Sequence, residues 1–127
     1  MKDKLQHLAG QFRDAVARFD KVLKEDKNEF IRDSAIQRFE FSFELAWKTL
    51  KAFLESEKGI RVYSPRDAIK EAFKVGLIWD DPNWLKMMET RNLTSHVYNE
   101  KMAEDIYKSL PKHLGLLKTL SINLKVA

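Results

Sequence analysis

Leu5, Leu8, Phe12, Val16, Phe19 and Leu23 recur at gaps of 3, 4, 4, 3 and 4 residues, the spacing that lays one apolar stripe along a helix. A first helix is therefore expected there. After the charged, turn-prone "KEDKNEF", a second helix should run from Ile31 to Glu57. It closes at Gly59, which can adopt the left-handed conformation of a C-cap. This helix carries more apolar positions than one stripe needs. At about 100° per residue, Ile36, Phe39, Phe43, Ala46, Trp47, Leu50, Phe53 and Leu54 share one face, while Phe41, Leu45 and Ala52 fall on the other side. Two apolar faces imply a central helix or a subunit contact. Between them Glu40, Glu44, Lys48, Lys51 and Glu55 form a charged strip, read as solvated or salt-bridged rather than as an acid and base pair, with Glu44 free to approach Arg91 in the bundle.

"IRVYS" has strand-like composition but only five residues and no partner run, so it reads as an extended connection. In "SPRD", Ser64 is an N-cap, Pro65 takes the first helical position and Asp67 reaches back; Gly76 stops this short third helix. Asp81 and Pro82 open a fourth helix through Trp84, Leu85, Met87, Met88 and Arg91. The last helix begins after Asn99 and passes through Met102, Ala103, Ile106, Tyr107, Leu110, Leu114, Leu117 and Leu120. Pro111 interrupts it as a kink or as the start of a new segment. No internal repeat, low-complexity tract or linker divides the chain. The pattern predicts an all-α fold, one domain over residues 1–127, with four long helical elements and one short one.

Composition narrows the classes. Hydrophobic residues make up 44% and charged residues 33% of the 127, with four glycines and three prolines. That balance belongs to a helical globular protein, not to a disordered tail or a β-sandwich. The absence of cysteine excludes disulfides, thiolate metal ligands and thiol nucleophiles. No apolar run approaches the roughly 18 residues of a membrane span, so no membrane partner and a cytoplasmic location are expected. His7 and His113 have no carboxylate or second histidine at ligand spacing and read as solvated, and no metal or other cofactor is expected. Trp47, Met87 and Met88 read as core. The net charge is +4, and from Arg91 onward six Lys and Arg face three Asp and Glu. An anionic partner would favour that end.

One stretch exceeds structural need. "ETRNLTSHVYNE", residues 89–100, concentrates an arginine, amides, hydroxyls, a histidine and a tyrosine at what should be a plain connection. In a continuous helix Arg91, Ser95 and Tyr98 would align, and His96 would point about 140° away from Arg91. The middling helix propensities of Asn92, Thr94, Ser95, His96 and Asn99 predict a break near Thr94 or Ser95. Such a break would swing His96 back toward Arg91 and set His96 and Tyr98 on one side of a short extended piece. Arg91 can then hold a phosphodiester and stabilise its transition-state charge, while His96 moves the proton of a ribose 2′-hydroxyl without a metal. Asn92, Thr94 or Ser95 could position the ribose or phosphate, and the basic C-terminal third suits RNA. A second copy of the chain would supply the missing acid or base. The structural alternative is that Arg91 and His96 merely cap a helix end.

Arg91, four residues, His96, one residue and Tyr98, placed before the last helix of a small bundle, resemble the motif of the HEPN superfamily, the higher eukaryote and prokaryote nucleotide-binding domain. "RFEFSFELAWKTLKAFLE", "SPRDAIKEAFKVGLI" and "RNLTSHVYNE" together resemble the branch of nucleotidyltransferase substrate-binding proteins over about residues 5 to 120. The resemblance implies a homodimeric, antiparallel up-down four-helix bundle with two motifs facing each other. In toxin members the matching arginine and histidine form a metal-independent ribonuclease site, which carries over to Arg91 and His96, with Asn92 and Ser95 assisting. In the branch with this tyrosine, a minimal nucleotidyltransferase antitoxin transfers AMP from ATP to it, a role that carries over to Tyr98. The branch name implies the other reading: a non-catalytic subunit that binds nucleotide or substrate for the transferase.

Overall fold

The structure, a computed structural model, describes residues 2–124. It contains α1 (Lys2–Leu23), α2 (Glu29–Lys58), α3 (Pro65–Lys74), α4 (Asn83–Leu93), a single 3-10 turn (Thr94–His96) and α5 (Glu100–Asn123). Side chains mark the helix starts. Asn28 accepts from the Ile31 N–H at 2.9 Å, Ser64 from Asp67 N–H at 3.2 Å, Asp81 from Asn83 N–H at 2.9 Å, and Asn99 from Met102 N–H at 2.9 Å. Gly59, at φ 67°, ends α2 in the left-handed region, where a side chain would be strained. Pro111 lies within an unbroken α5.

Helices α1, α2, α4 and α5 form an antiparallel up-down four-helix bundle, and α3 is the additional short helix. A short loop folds α1 back on α2, so that Phe19 meets Phe39 with ring centroids 5.9 Å apart. Arg32, early in α2, meets Glu100 and Glu104, early in α5, which sets those two helices parallel. Thr90, late in α4, meets His113, while Trp84, early in α4, shares a cavity wall with Leu120, so α4 runs against α5. The core is apolar and continuous. Phe12, Phe19, Phe39, Phe43, Leu50, Leu54, Met87, Leu110, Leu117 and Leu120 are almost wholly removed from water, each such side chain contributing about 1.5–3 kcal/mol of hydrophobic stabilisation. No helix among the described residues is long and apolar enough to cross a membrane.

One polar residue departs from the sequence reading. His113, expected in solvent, is 3% exposed. Its ring stacks on Phe39 at 5.4 Å, and Nε2 lies 3.0 Å from the Thr90 hydroxyl. Burial, with Lys112 close by, pushes its pKa down to about 4, so it is neutral near pH 7. The cause is registry: His113 follows Leu110 by three residues and precedes Leu117 by four, which places it on the inward face. Arg32 is likewise buried, and its guanidinium donates to Asp33, Glu100 and Glu104. It thereby ties the first turn of α5 to α2 and fixes where the 94–99 connection must end.

The second apolar face of α2 remains open in the single chain. Phe41 is 53% exposed, and Leu45 and Ala52 are half-buried.

Candidate functional site

The 3-10 turn after α4 begins where a helix-breaking run begins. Thr94 folds its hydroxyl back to donate to the Arg91 carbonyl at 2.6 Å, competing with the helical backbone bond at that point. Val97 is then extended (φ −86°, ψ 103°) and packs against the core. An extended residue with its side chain inward throws its two neighbours outward. His96 and Tyr98 are accordingly both exposed, with Nδ1 of His96 3.0 Å from the Tyr98 hydroxyl and ring centroids 6.1 Å apart.

Arg91 projects from the last turn of α4 toward α2. Its Nη1 donates to Thr94 Oγ1 at 3.3 Å and reaches Ser95 Oγ at 3.5 Å. Its Nε lies 3.3 Å from Oε1 of Glu44, in ion-pair range without the geometry of a hydrogen bond, and Nη1 lies 3.7 Å from Oε2 of Glu40. The indole N–H of Trp47 donates to the other Glu44 oxygen at 3.1 Å. An indole thus fixes a carboxylate, and the carboxylate orients a guanidinium. The Arg91 side chain is 23% exposed, so the cation is held at the surface rather than entombed.

Of the residues singled out in the sequence, Arg91 and Ser95 come together, as do His96 and Tyr98. Arg91 and His96 make no hydrogen bond to each other, and Asn92 is exposed with no side-chain bond among the described residues. The guanidinium faces the Glu40 and Glu44 carboxylates of α2, and the His96 ring pairs with Tyr98. The two pairs are instead consecutive stations on one short exposed ridge. Glu40 and Trp47 were not legible as site residues, since their roles depend on a partner about fifty positions away. Glu44 sits four residues before Lys48, at the spacing of a surface pair, yet it makes the approach to Arg91 that the sequence left open. No group of three His, Asp or Glu side chains among the described residues is placed to hold a metal ion.

Glu44 also borders a groove between α1 and α2, lined by Ala15, Arg18, Arg38, Phe41 and Leu45. The open apolar face of α2 therefore runs directly into the Arg91 site.

Residues 7–126 match the family model described as nucleotidyltransferase substrate binding protein like. A probable ribonuclease, HepT of Haemophilus influenzae, is 36% identical over 84 residues, a match that spans 63% of this chain and 58% of that protein. A crystal structure from Thermus thermophilus superposes with a TM-score of 0.84 at 36% identity, covering 91% of this chain and 99% of the other. A Haemophilus influenzae structure, described as revealing the fold of a substrate binding domain of a nucleotidyltransferase, gives a TM-score of 0.69 at 26% identity over 96% and 97% of the two chains. A tri-AMPylated HEPN toxin of Shewanella oneidensis, solved with an MNT antitoxin, shares the fold at a TM-score of 0.76, with 18% identity over 97% of each chain.

Proposed function

The chain belongs to the nucleotidyltransferase substrate binding protein like family, a branch of the HEPN superfamily, and on that premise we propose that it is the toxin of a toxin–antitoxin pair. In this reading it is a metal-independent endoribonuclease acting on cytoplasmic RNA and silenced when a minimal nucleotidyltransferase transfers AMP to Tyr98. The observation that carries it is the exposed ridge on which an oriented arginine is followed by a histidine already paired through one ring nitrogen.

Arg91 binds the scissile phosphodiester and offsets the charge that grows on it, in exchange for part of its contact with Glu40 and Glu44. Ser95, with Asn92 beside it, supplies hydroxyl and amide groups to the phosphate or ribose. With Nδ1–H donating to the Tyr98 oxygen, Nε2 of His96 presents its lone pair outward and takes the 2′-hydroxyl proton. The freed oxygen attacks the adjacent phosphorus, and the 5′-oxygen leaves. Its proton comes from a second copy of the site. Two chains joined along the Phe41 groove, which carries both charge signs in Asp14, Arg18, Arg38 and Glu44, would bring the copies near each other.

Purified protein should cleave RNA in the presence of EDTA, and His96→Ala should not. RNA left intact by the wild type would sink the enzymatic reading. A second reading has its own observation: Arg91 is already engaged by two carboxylates, as suits a non-catalytic subunit that binds nucleotide for the transferase. Tight nucleotide binding by a protein that cuts nothing would favour it.

A further inference from the structure

We infer that His96 is itself the base that prepares Tyr98 for AMP transfer, so that one imidazole serves two reactions through its two nitrogens. The inference rests on the proposed modification of Tyr98 and adds a catalytic group that the modified chain contributes to its own modification.

The phenol is a weak nucleophile while it keeps its proton, and attack on phosphorus is helped by a base within hydrogen-bond reach of that proton. Nδ1 of His96 stands 3.0 Å from the phenol oxygen. Val97 holds the pair in place: it is anchored against the core and extended, which keeps residues 96 and 98 on the same outward side. Both side chains are exposed, so an α-phosphate can approach Tyr98 from solvent without disturbing the bundle. The hydroxyl is a rotor that donates as readily as it accepts. In RNA cleavage the bond runs from Nδ1–H to the phenol oxygen; here it runs from the phenol to Nδ1.

The atoms balance as a nucleotidyl transfer. The Tyr98 oxygen forms a bond to the α-phosphorus of ATP, and the bond from that phosphorus to the bridging oxygen breaks. Pyrophosphate leaves with the electron pair, and the phenol proton passes to Nδ1. The product is a tyrosyl phosphodiester, whose oxygen has no proton left to give the imidazole.

The test uses the full chain, a minimal nucleotidyltransferase and ATP, with AMP on Tyr98 followed by peptide mass mapping over time. Wild type should be labelled, and His96→Ala should be labelled about 100-fold more slowly or worse, with unchanged affinity for the transferase. His96→Asn separates catalysis from positioning, because its amide oxygen can accept from the phenol but cannot take the proton; it should be as slow as alanine. Asparagine or alanine variants labelled at the wild-type rate would overturn the inference alone. A wild-type chain that never gains AMP would overturn the reading beneath it.

Discussion

Oε1 of Glu44 lies 3.3 Å from Nε of Arg91, and the indole N–H of Trp47 holds the opposite oxygen of the same carboxylate at 3.1 Å. The arginine that would meet phosphate is therefore aimed from behind by a residue of α2, half the bundle away in sequence.

Glu44→Gln keeps the shape of this contact and removes its charge. Arg91 then gains freedom and loses aim. RNA should bind as well or slightly better, while kcat for cleavage falls about tenfold, a small displacement at a reacting centre being enough for that. Steady-state kinetics on a short RNA would separate the two constants, and an unchanged kcat would dismiss Glu44 as a positioning residue.

Tyr98→Phe removes the partner of Nδ1 and the only proposed acceptor of AMP. Cleavage should slow about fivefold, the worth of one ordinary hydrogen bond. The melting temperature should not move, because Tyr98 is 78% exposed. Transferase and ATP should leave this variant active.

Phe41→Glu places a carboxylate on the open face of α2. Circular dichroism should be unaltered, since the residue is 53% exposed and the core does not depend on it. Light scattering after gel filtration should report a dimer for the wild type and a monomer for the variant, with RNA cleavage lost alongside. A wild type that is monomeric at every concentration would rule out the shared site.

Acid should act on the bundle in two separable stages. His113 has a folded pKa of about 4 against an ordinary 6.5, so between those values the unfolded chain binds the extra proton. Stability therefore rises with pH across that window, by about 3 kcal/mol, and is fully present above it. Urea midpoints at pH 7 and pH 5 should differ in the wild type. The difference should shrink in His113→Met.

The second stage belongs to Arg32. Its guanidinium holds Glu100 below the ordinary 4.5, and Lys27 followed by Arg32 does the same for Glu104. Their contribution is complete above the ordinary carboxylate range and is lost as pH falls through the lowered folded values. Arg32→Met should flatten this acid limb of the unfolding profile while leaving the His113 limb intact.

The helices were legible because each carries its own period and its own stop signals: the stripe from Leu5 to Leu23, the caps at Ser64 and Asn99, the glycine at 59. The break at Thr94 was legible for the same local reason, as a cluster of residues that prefer backbone bonds outside helices. What remained hidden was pairing across the bundle. Arg32 and His113 look like solvated charges beside Asp33 and Lys112, and only the 32–36–39–43 and 106–110–113–117 spacings betray that both face inward. Glu40 carries no local mark of its ion pair with Arg91, nor Trp47 of its bond to Glu44, since helix packing, not sequence neighbourhood, decides which strip of α2 meets the end of α4. Glu44 meets Arg91, an approach the charged strip of α2 leaves open, while the contact with Glu40 is visible only once the helices are packed.

Because Tyr98 stands clear of the core beside an inward Val97, chemistry at its oxygen would need no opening of the fold and would discard no packing. If Tyr98 is the acceptor proposed above, a transferase would act on the finished molecule at any time in its life, and silencing would carry no toll in thermal resistance. Control of this kind is set by encounter rate and nucleotide supply, not by the stability of the protein being controlled.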